Sequence, residues 1–248
     1  MASSLLAWRN NMRIFSNFNE AFSEIKRDLA EMGIDVHTKT MQNKNIENDD
    51  NYSTKELQFY SYRIINPFEP VKYEQLFNRL PNKSWALAEW IEREDGIRGD
   101  PVNPGTAYKL RDQVWNEFLN KDGKFDYSYS ERFAMNDQVN KVIEALKRDN
   151  LSRQAYITVW KPEDSSYLGT AISRVPCSLS YLFQYRQGKL NMEYSMRSCD
   201  FNTHFPNDVY EALRLMKYVS EKTGLPTGDF IHHIASFHVY KKDIKDVF

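Results

Sequence analysis

Cysteine, glycine and uninterrupted apolar runs are all scarce in this sequence, and each scarcity removes a class of protein. Two cysteines, Cys177 and Cys199, cannot make a disulfide framework, so they read as free thiols of a reducing compartment. No CxxC and no HExxH occurs, which argues against zinc. The 9 glycines are scattered and form no phosphate-cradling loop. No stretch approaches the roughly 18–20 apolar residues of a membrane span, and mean hydropathy is −0.67. The opening MASSLLAWRNNMRIF has a very short apolar run followed by Arg9 and Arg13, unlike a signal peptide. Charge of one sign is also missing: 33 basic against 34 acidic residues leave a net −1. A protein that grips nucleic acid through its phosphates carries a basic excess. What remains is a chain of 248 residues with 41% apolar content, enough for a packed core. We expect a cytoplasmic enzyme or binding domain with no membrane and no direct nucleic-acid partner.

Residues 17–32 predict a helix. Phe18, Phe22, Ile25, Leu29 and Met32 recur at helical spacing, Asn17 and Glu20 form a capping-box pattern, and Gly33 supplies the stop. Residues 34–42 read as a strand, 43–53 as a polar loop and 56–65 as a strand. A helix follows at 84–94, with Ser84 as its cap, then a turn-rich segment at 98–108. A helix at 136–148 puts Val139, Ile143 and Leu146 on one face. Strands are expected at 154–160, 178–186 and 189–197, the last two joined by a Gln187-Gly188 hairpin turn. A helix at 209–221 turns Val209, Leu213, Met216 and Val219 inward, and 228–240 is a final strand. The order is not a regular βαβ alternation. It predicts an α+β fold, with helices packed on one face of a sheet.

Proline fixes the backbone just before Cys177. A thiol near arginines such as Arg174 ionises more readily, and the thiolate is the nucleophile. By itself Cys177 reads more often as a small buried hydrophobe at a strand start. The context alters that balance. Twenty residues on comes Met196-Arg197-Ser198-Cys199-Asp200, then Asp208 in HFPND, then His238-Val239-Tyr240. This set resembles the thymidylate synthase family, which shares a Pro-Cys nucleophile, an Arg-Ser-x-Asp strand, a Pro-containing loop with an amide or acid, and a late His-x-Tyr. The spacings fit without gaps from Cys177 to Tyr240. Upstream, Glu89 in AEWIERED, Gly96, Tyr129 in YSYSERF and Arg153 in NLSRQAY match the family's glutamate, glycine, tyrosine and first of two arginines. The resemblance covers roughly residues 55–240.

The resemblance implies a central mixed or antiparallel sheet with helices on one face and a homodimer interface on the other. It implies a single domain over 1–248, with residues 1–55 as an extension lacking a clear counterpart. It implies one-carbon transfer from 5,10-methylenetetrahydrofolate to C5 of a pyrimidine deoxynucleotide. Cys177 would add to C6 and make C5 enamine-like, while Glu89 and Tyr129 would complete the catalytic set. Arg197, Ser198 and Arg153 would hold the 5′-phosphate, Arg153 from the neighbouring subunit. His238 and Tyr240 would bond the sugar 3′-hydroxyl. Asp200 would contact the pterin, and Trp115, with Phe118, stands where the family has a tryptophan pair beside the folate. No metal is implied. His232, His233 and His238 lack an acidic partner at ligand spacing, and His204 reads as a loop residue beside the site.

Asp208 discriminates among substrates. The family's asparagine there offers a donor and an acceptor, matching uracil. Cytosine presents a 4-amino donor and an N3 acceptor, which suits a protonated carboxyl. FPND, MRS and HVY look closest to phage deoxycytidylate (dCMP) 5-hydroxymethylases, and Ser178 replaces the histidine usual after the nucleophile. Asn207 or Asp208 capping the following helix is the plainer reading. A one-residue slip that brings Asn207 into register would restore uracil, and the ungapped spacing to His238 opposes it. Gln154 replaces the second arginine, and eight residues follow Tyr240 where the family continues into a segment that closes over folate. The alternatives within this chemistry are a dCMP methylase, a dUMP hydroxymethylase and a thymidylate synthase. A non-catalytic nucleotide-binding relative is the alternative of another class.

Overall fold

The computed structural model describes residues 12–248. The expected extension at 1–55 therefore lies partly outside the described residues. Strands β1 (Arg13–Phe15), β2 (Ile34–Val36), β5 (Thr54–Ile64), β6 (Tyr156–Thr158), β7 (Ser178–Arg186), β8 (Lys189–Asp200) and β9 (Thr227–Tyr240) form a seven-stranded sheet. Its order is β1-β5-β9-β8-β7-β6, with β2 also paired to β5. A separate ribbon joins β3 (Thr40–Met41) to β4 (Lys44–Asn45). The helices are α1 (Phe18–Met32), α2 (Pro70–Asn78), α3 (Lys83–Ile97), α4 (Asp112–Trp115), α5 (Tyr129–Ala134), α6 (Gln138–Arg148), α7 (Phe205–Thr223) and α8 (Ile244–Val247).

Two connections organise the sheet. Gln187 and Gly188 both have positive φ, so the β7–β8 hairpin closes in two residues. Strands β8 and β9 are parallel, which a hairpin cannot achieve, and α7 makes the crossover. Its inward residues Val209, Leu213, Met216 and Val219 are fully buried, as their spacing predicts. Leu190, Met192, Tyr194 and Met196 of β8 are buried, while the residues between them are partly exposed.

That alternation breaks once, and it breaks in three strands together. Adjacent unburied pairs occur at Arg197–Ser198 in β8, Ala235–Ser236 in β9 and Gln58–Phe59 in β5. Pairing sets Ser198 and Gln58 opposite Ser236 from either side, so the three pairs lie side by side. Phe59 has a left-handed φ of 50° and is 82% exposed. Before this line even-numbered residues of β8 and β9 face the helices; past it Cys199, Phe237 and Val239 do. Ser198, Asp200, His238 and Tyr240 thus share one phase at the end of the sheet.

Several expected boundaries move. The 34–42 strand is only β2 plus β3, because His37 turns out to bond Ser53 and the Glu47 carbonyl across the polar segment. Helix α3 begins one residue before Ser84: Asn82 is its cap, its side chain accepting from the Trp85 N–H. Helices α2 and α5 were not expected. The latter is six residues long, too short to show a period, and rests on a Ser128–Glu131 capping box. Helix α7 starts at Phe205. Gly96 is required by close packing, since a Cβ there would collide with the Ser130 carbonyl of α5. Asn17 caps α1 as expected, but Glu20 reaches the Ser16 N–H rather than that of Asn17.

Candidate active site

A cavity of about 220 Å³ opens at the end of the sheet where the side-chain phase shifts. Cys177, just before β7, lies in its wall, with Ser198, Asp200, Asp208, His238 and Tyr240. Glu89, Trp115 and Tyr129 line it from the helical side. Nine of the eleven residues singled out in the sequence therefore meet in one cavity. Arg197 reaches it through the thiol: its Nη2 donates to Cys177 Sγ at 3.7 Å and its Nε to the Pro176 carbonyl at 3.3 Å. The backbone ties the same two residues, Arg197 N–H to the Cys177 carbonyl at 2.8 Å. Arg153 is the exception. It is exposed in the segment before β6 and does not line the cavity.

Arg197, not Arg174, is thus the arginine at the thiol, because register puts β8 beside the start of β7. A second donor comes from the β3–β4 ribbon: Gln42 Nε2 lies 3.8 Å from Cys177 Sγ. Met41 Sδ accepts from the Tyr240 hydroxyl at 3.1 Å, and Lys44 pairs with Glu117 at 2.6 Å across the cavity mouth. Nothing local in this polar segment marks it as a wall of the site; only the tertiary fold does.

Asp208 lies in the first turn of α7, but it does not cap it. His204 occupies the cap position and no side chain caps the helix. Asp208 Oδ2 accepts from Cys199 Sγ at 3.5 Å. Burial, reinforced by the neighbouring Glu89 carboxylate, pushes the Asp208 carboxyl up to about 7. Asn207 does not cap either: its amide donates to Glu89 Oε2 at 3.0 Å. The slip that would exchange these two residues is therefore opposed in the structure by their different partners.

Glu89 is held on its other oxygen by Arg93, one helical turn on, at 2.7 Å. Arg93 is 2% exposed, sits 4.3 Å above the Tyr129 ring and faces the buried Glu211 at 3.3 Å. The i,i+4 spacing of Glu89 and Arg93 was legible in the sequence; the Glu211 contact was not. The Tyr129 hydroxyl accepts from both the backbone N–H and the hydroxyl of Ser178, whose Oγ is also 2.6 Å from the Tyr194 hydroxyl. Ser178 thus links the Tyr129 and Tyr194 hydroxyls. Burial pushes the Tyr129 phenol well up and the His204 imidazole down to about 4, so both are neutral near pH 7. His238 is likewise shifted down by burial.

The far wall is aromatic. Trp85 and Trp115 stack at 6.4 Å, and Phe118, Phe125 and Tyr127 complete it. Asp200 Oδ1 accepts from the backbone N–H groups of Asn202 and Thr203. Among the described residues no group of His, Cys, Asp and Glu could hold a metal ion. His232 is a core residue bonded to the Tyr62 hydroxyl, and His233 bonds Ser61. No helix of the described chain is long and apolar enough to cross a membrane.

A sheet kinked at one end, with a cysteine, a pair of part-buried carboxyls and an Arg-Ser strand gathered there, defines a known class. The thymidylate synthase profile matches residues 106–248, and the chain belongs to that family. It is 32% identical over 123 residues to the "Putative thymidylate synthase" of Methanosarcina barkeri, a match over 48% of this chain and 55% of that relative's length. Its fold is that of the thermostable thymidylate synthase A from Bacillus subtilis (TM-score 0.70, 20% identity, 94% of this chain and 83% of that one). It is also that of thymidylate synthase from T4 phage (TM-score 0.68, 20% identity, 92% and 79%). The family uses methylenetetrahydrofolate as cosubstrate and binds a nucleotide substrate.

Proposed function

We propose that this chain transfers a one-carbon unit from methylenetetrahydrofolate to C5 of dCMP and releases 5-hydroxymethyl-dCMP. The observation that carries this reading is Asp208: a carboxyl held up to about 7, in the cavity of Cys177. A carboxyl that keeps its proton near neutrality accepts from the cytosine 4-amino group through one oxygen and donates to N3 through the other. Uracil reverses donor and acceptor, so it pairs with the same carboxyl only when the proton moves to the other oxygen.

The family resemblance assigns the roles on this geometry. The Cys177 thiolate adds to C6, with Arg197 and Gln42 donating to its sulfur. C5 then attacks the one-carbon unit; loss of the C5 proton to a base and departure of tetrahydrofolate, which carries away the electron pair of the carbon–nitrogen bond, leave an exocyclic methylene. Water adds to that carbon, and the thiolate departs from C6. The base gains CH2O in all, and tetrahydrofolate is the other product. Glu89, fixed between Asn207 and Arg93, orders water and relays protons at the base. Arg197 and Ser198 take the 5′-phosphate, and His238 and Tyr240 take the 3′-hydroxyl. Asp200 and Trp115 face the pterin. Exposed Arg153 serves the phosphate of a second copy in a homodimer.

Incubation with dCMP or dUMP plus methylenetetrahydrofolate tests the reading through product mass. Gain of one CH2O on dCMP supports it. A second reading, thymidylate synthesis, is favoured by the names of the relatives and gives gain of CH2 on dUMP. Product from neither nucleotide leaves a non-catalytic nucleotide-binding relative.

A further inference from the structure

A carboxyl with one proton can present either hydrogen-bond pattern, so Asp208 by itself does not choose between cytosine and uracil. The choice requires that the proton stay on one oxygen. Glu89, Arg93 and Asp200 act on Asp208 through space and shift the proton affinity of the whole carboxyl. One group acts on a single oxygen: the Cys199 thiol, whose Sγ lies 3.5 Å from Asp208 Oδ2. Among the described residues no other side chain hydrogen-bonds this carboxyl, and Oδ1 accepts no bond. The Asn207 amide, the nearest donor along the chain, is taken by Glu89. Cys199 reaches Asp208 because the side-chain phase of β8 shifts just before it, and it is 2% exposed. Burial, reinforced by the Asp208 and Asp200 carboxyls, pushes the thiol well up, so the sulfur keeps a proton to donate. A thiol is a weak donor. In a buried site, however, a bond to one of two otherwise equivalent oxygens decides which of them holds the acid proton.

We propose that Cys199 is the positioning residue that sets base specificity: its S–H donates to Asp208 Oδ2, which keeps Oδ2 an acceptor and the acid proton on Oδ1. Oδ2 then faces a 4-amino group and Oδ1 donates to an unprotonated N3. This rests on the reading of Asp208 given above. Cys199 touches the carboxyl and not the base, so it acts only through Asp208. The second thiol of the chain thereby serves recognition, while the first, Cys177, serves addition.

The test measures kcat/KM for dCMP and for dUMP, each with methylenetetrahydrofolate, in the unaltered protein, Cys199→Val and Cys199→Ser. Cys199→Val keeps the volume and the strand but removes the donor. It should lower the dCMP-to-dUMP ratio about 3- to 10-fold, the range of one weak hydrogen bond. Cys199→Ser, which restores a donor at the same place, should keep the ratio within about twofold of the unaltered protein. Cys199→Ala replaces the valine variant if that one does not fold. An unchanged ratio in the donor-free variant overturns the inference, and this includes equal losses on both nucleotides, the mark of a merely structural role. A ratio that rises overturns it too, as does a serine variant that shifts as far as the valine one. An unaltered protein that prefers dUMP, or that converts neither nucleotide, instead removes the reading of Asp208, and this inference with it.

Discussion

The two walls of the cavity are built in different ways. Cys177, Arg197, Ser198, Asp200 and His238 come from the ends of adjacent strands, where pairing sets the register of the side chains. The facing wall is assembled from the side of α3, the single turn of α4, the irregular segment to Tyr127 and the β3–β4 ribbon. The first wall holds atoms that must meet within a bond length; the second offers rings and long side chains. A covalent step needs the rigidity of a sheet, whereas stacking tolerates small shifts of a loop.

Breaking the strand wall should have the largest effect. Cys177→Ser should lower turnover by at least about a thousandfold without loss of fold, because the cavity's other thiol, Cys199, is engaged with Asp208 and kept protonated by burial. Near-normal turnover measured for that variant would remove covalent addition from the reaction.

Asp208→Asn should change the dCMP-to-dUMP ratio of kcat/KM by about 100- to 10,000-fold toward dUMP. An unchanged ratio would mean that the base is read elsewhere. The pH dependence has a definite sign. The carboxyl is shifted up from 3.8 to about 7, so between those values the folded chain holds a proton that the unfolded chain has lost. The stability this contributes is complete below about pH 4 and falls as pH rises through 7. Thermal melts from pH 5 to 8 should therefore decline less in Asp208→Asn, and kcat/KM for dCMP in the unaltered protein should drop on the alkaline side of about 7.

Exchange across the proposed dimer sharpens the comparison next. Mixing inactive Cys177→Ser with inactive Arg153→Ala should regain part of the activity, since one site of the mixed dimer carries both lesions and the other neither. No recovery would place Arg153 outside any active site.

Arg93 ties α3 to α7 and to the Tyr129 ring behind the cavity. Arg93→Met should cost roughly 3–5 kcal/mol of stability, as expected when one member of a buried ion pair is removed, and should lower kcat because Glu89 loses its anchor. Adding Glu211→Met should restore much of the melting temperature and none of the rate. The smallest effect belongs to the loop side: Lys44→Met breaks a part-exposed pair with Glu117 and should change stability by less than about 1 kcal/mol.

Periodic elements were legible in the sequence because one face of each is buried for its whole length. The β7–β8 hairpin, α6 and the body of α7 are of this kind. The motif from Cys177 to Tyr240 was legible because strand and helix spacings carry no insertions. Short α5, the two-residue strands and the Asn82 cap were not, since each depends on a bond to a partner far along the chain or spans too few residues for a period. Of the site residues, Gln42 and the orientation of Arg174 were missed in the same way, whereas Arg93 went unread although its i,i+4 spacing from Glu89 lies in the sequence. Gln42 is 135 positions from the sulfur it faces.

The sequence alone determined the composition class, the candidate nucleophile, the order of the motif and the presence of an aspartate at position 208, because residue identity and spacing carry that information directly. The tertiary structure decided which arginine touches the thiol, that Asp208 reads into the cavity instead of capping a helix, and that its carboxyl holds a proton near neutrality. These are consequences of burial and of neighbours brought together by strand register, and a linear chain contains neither until it folds.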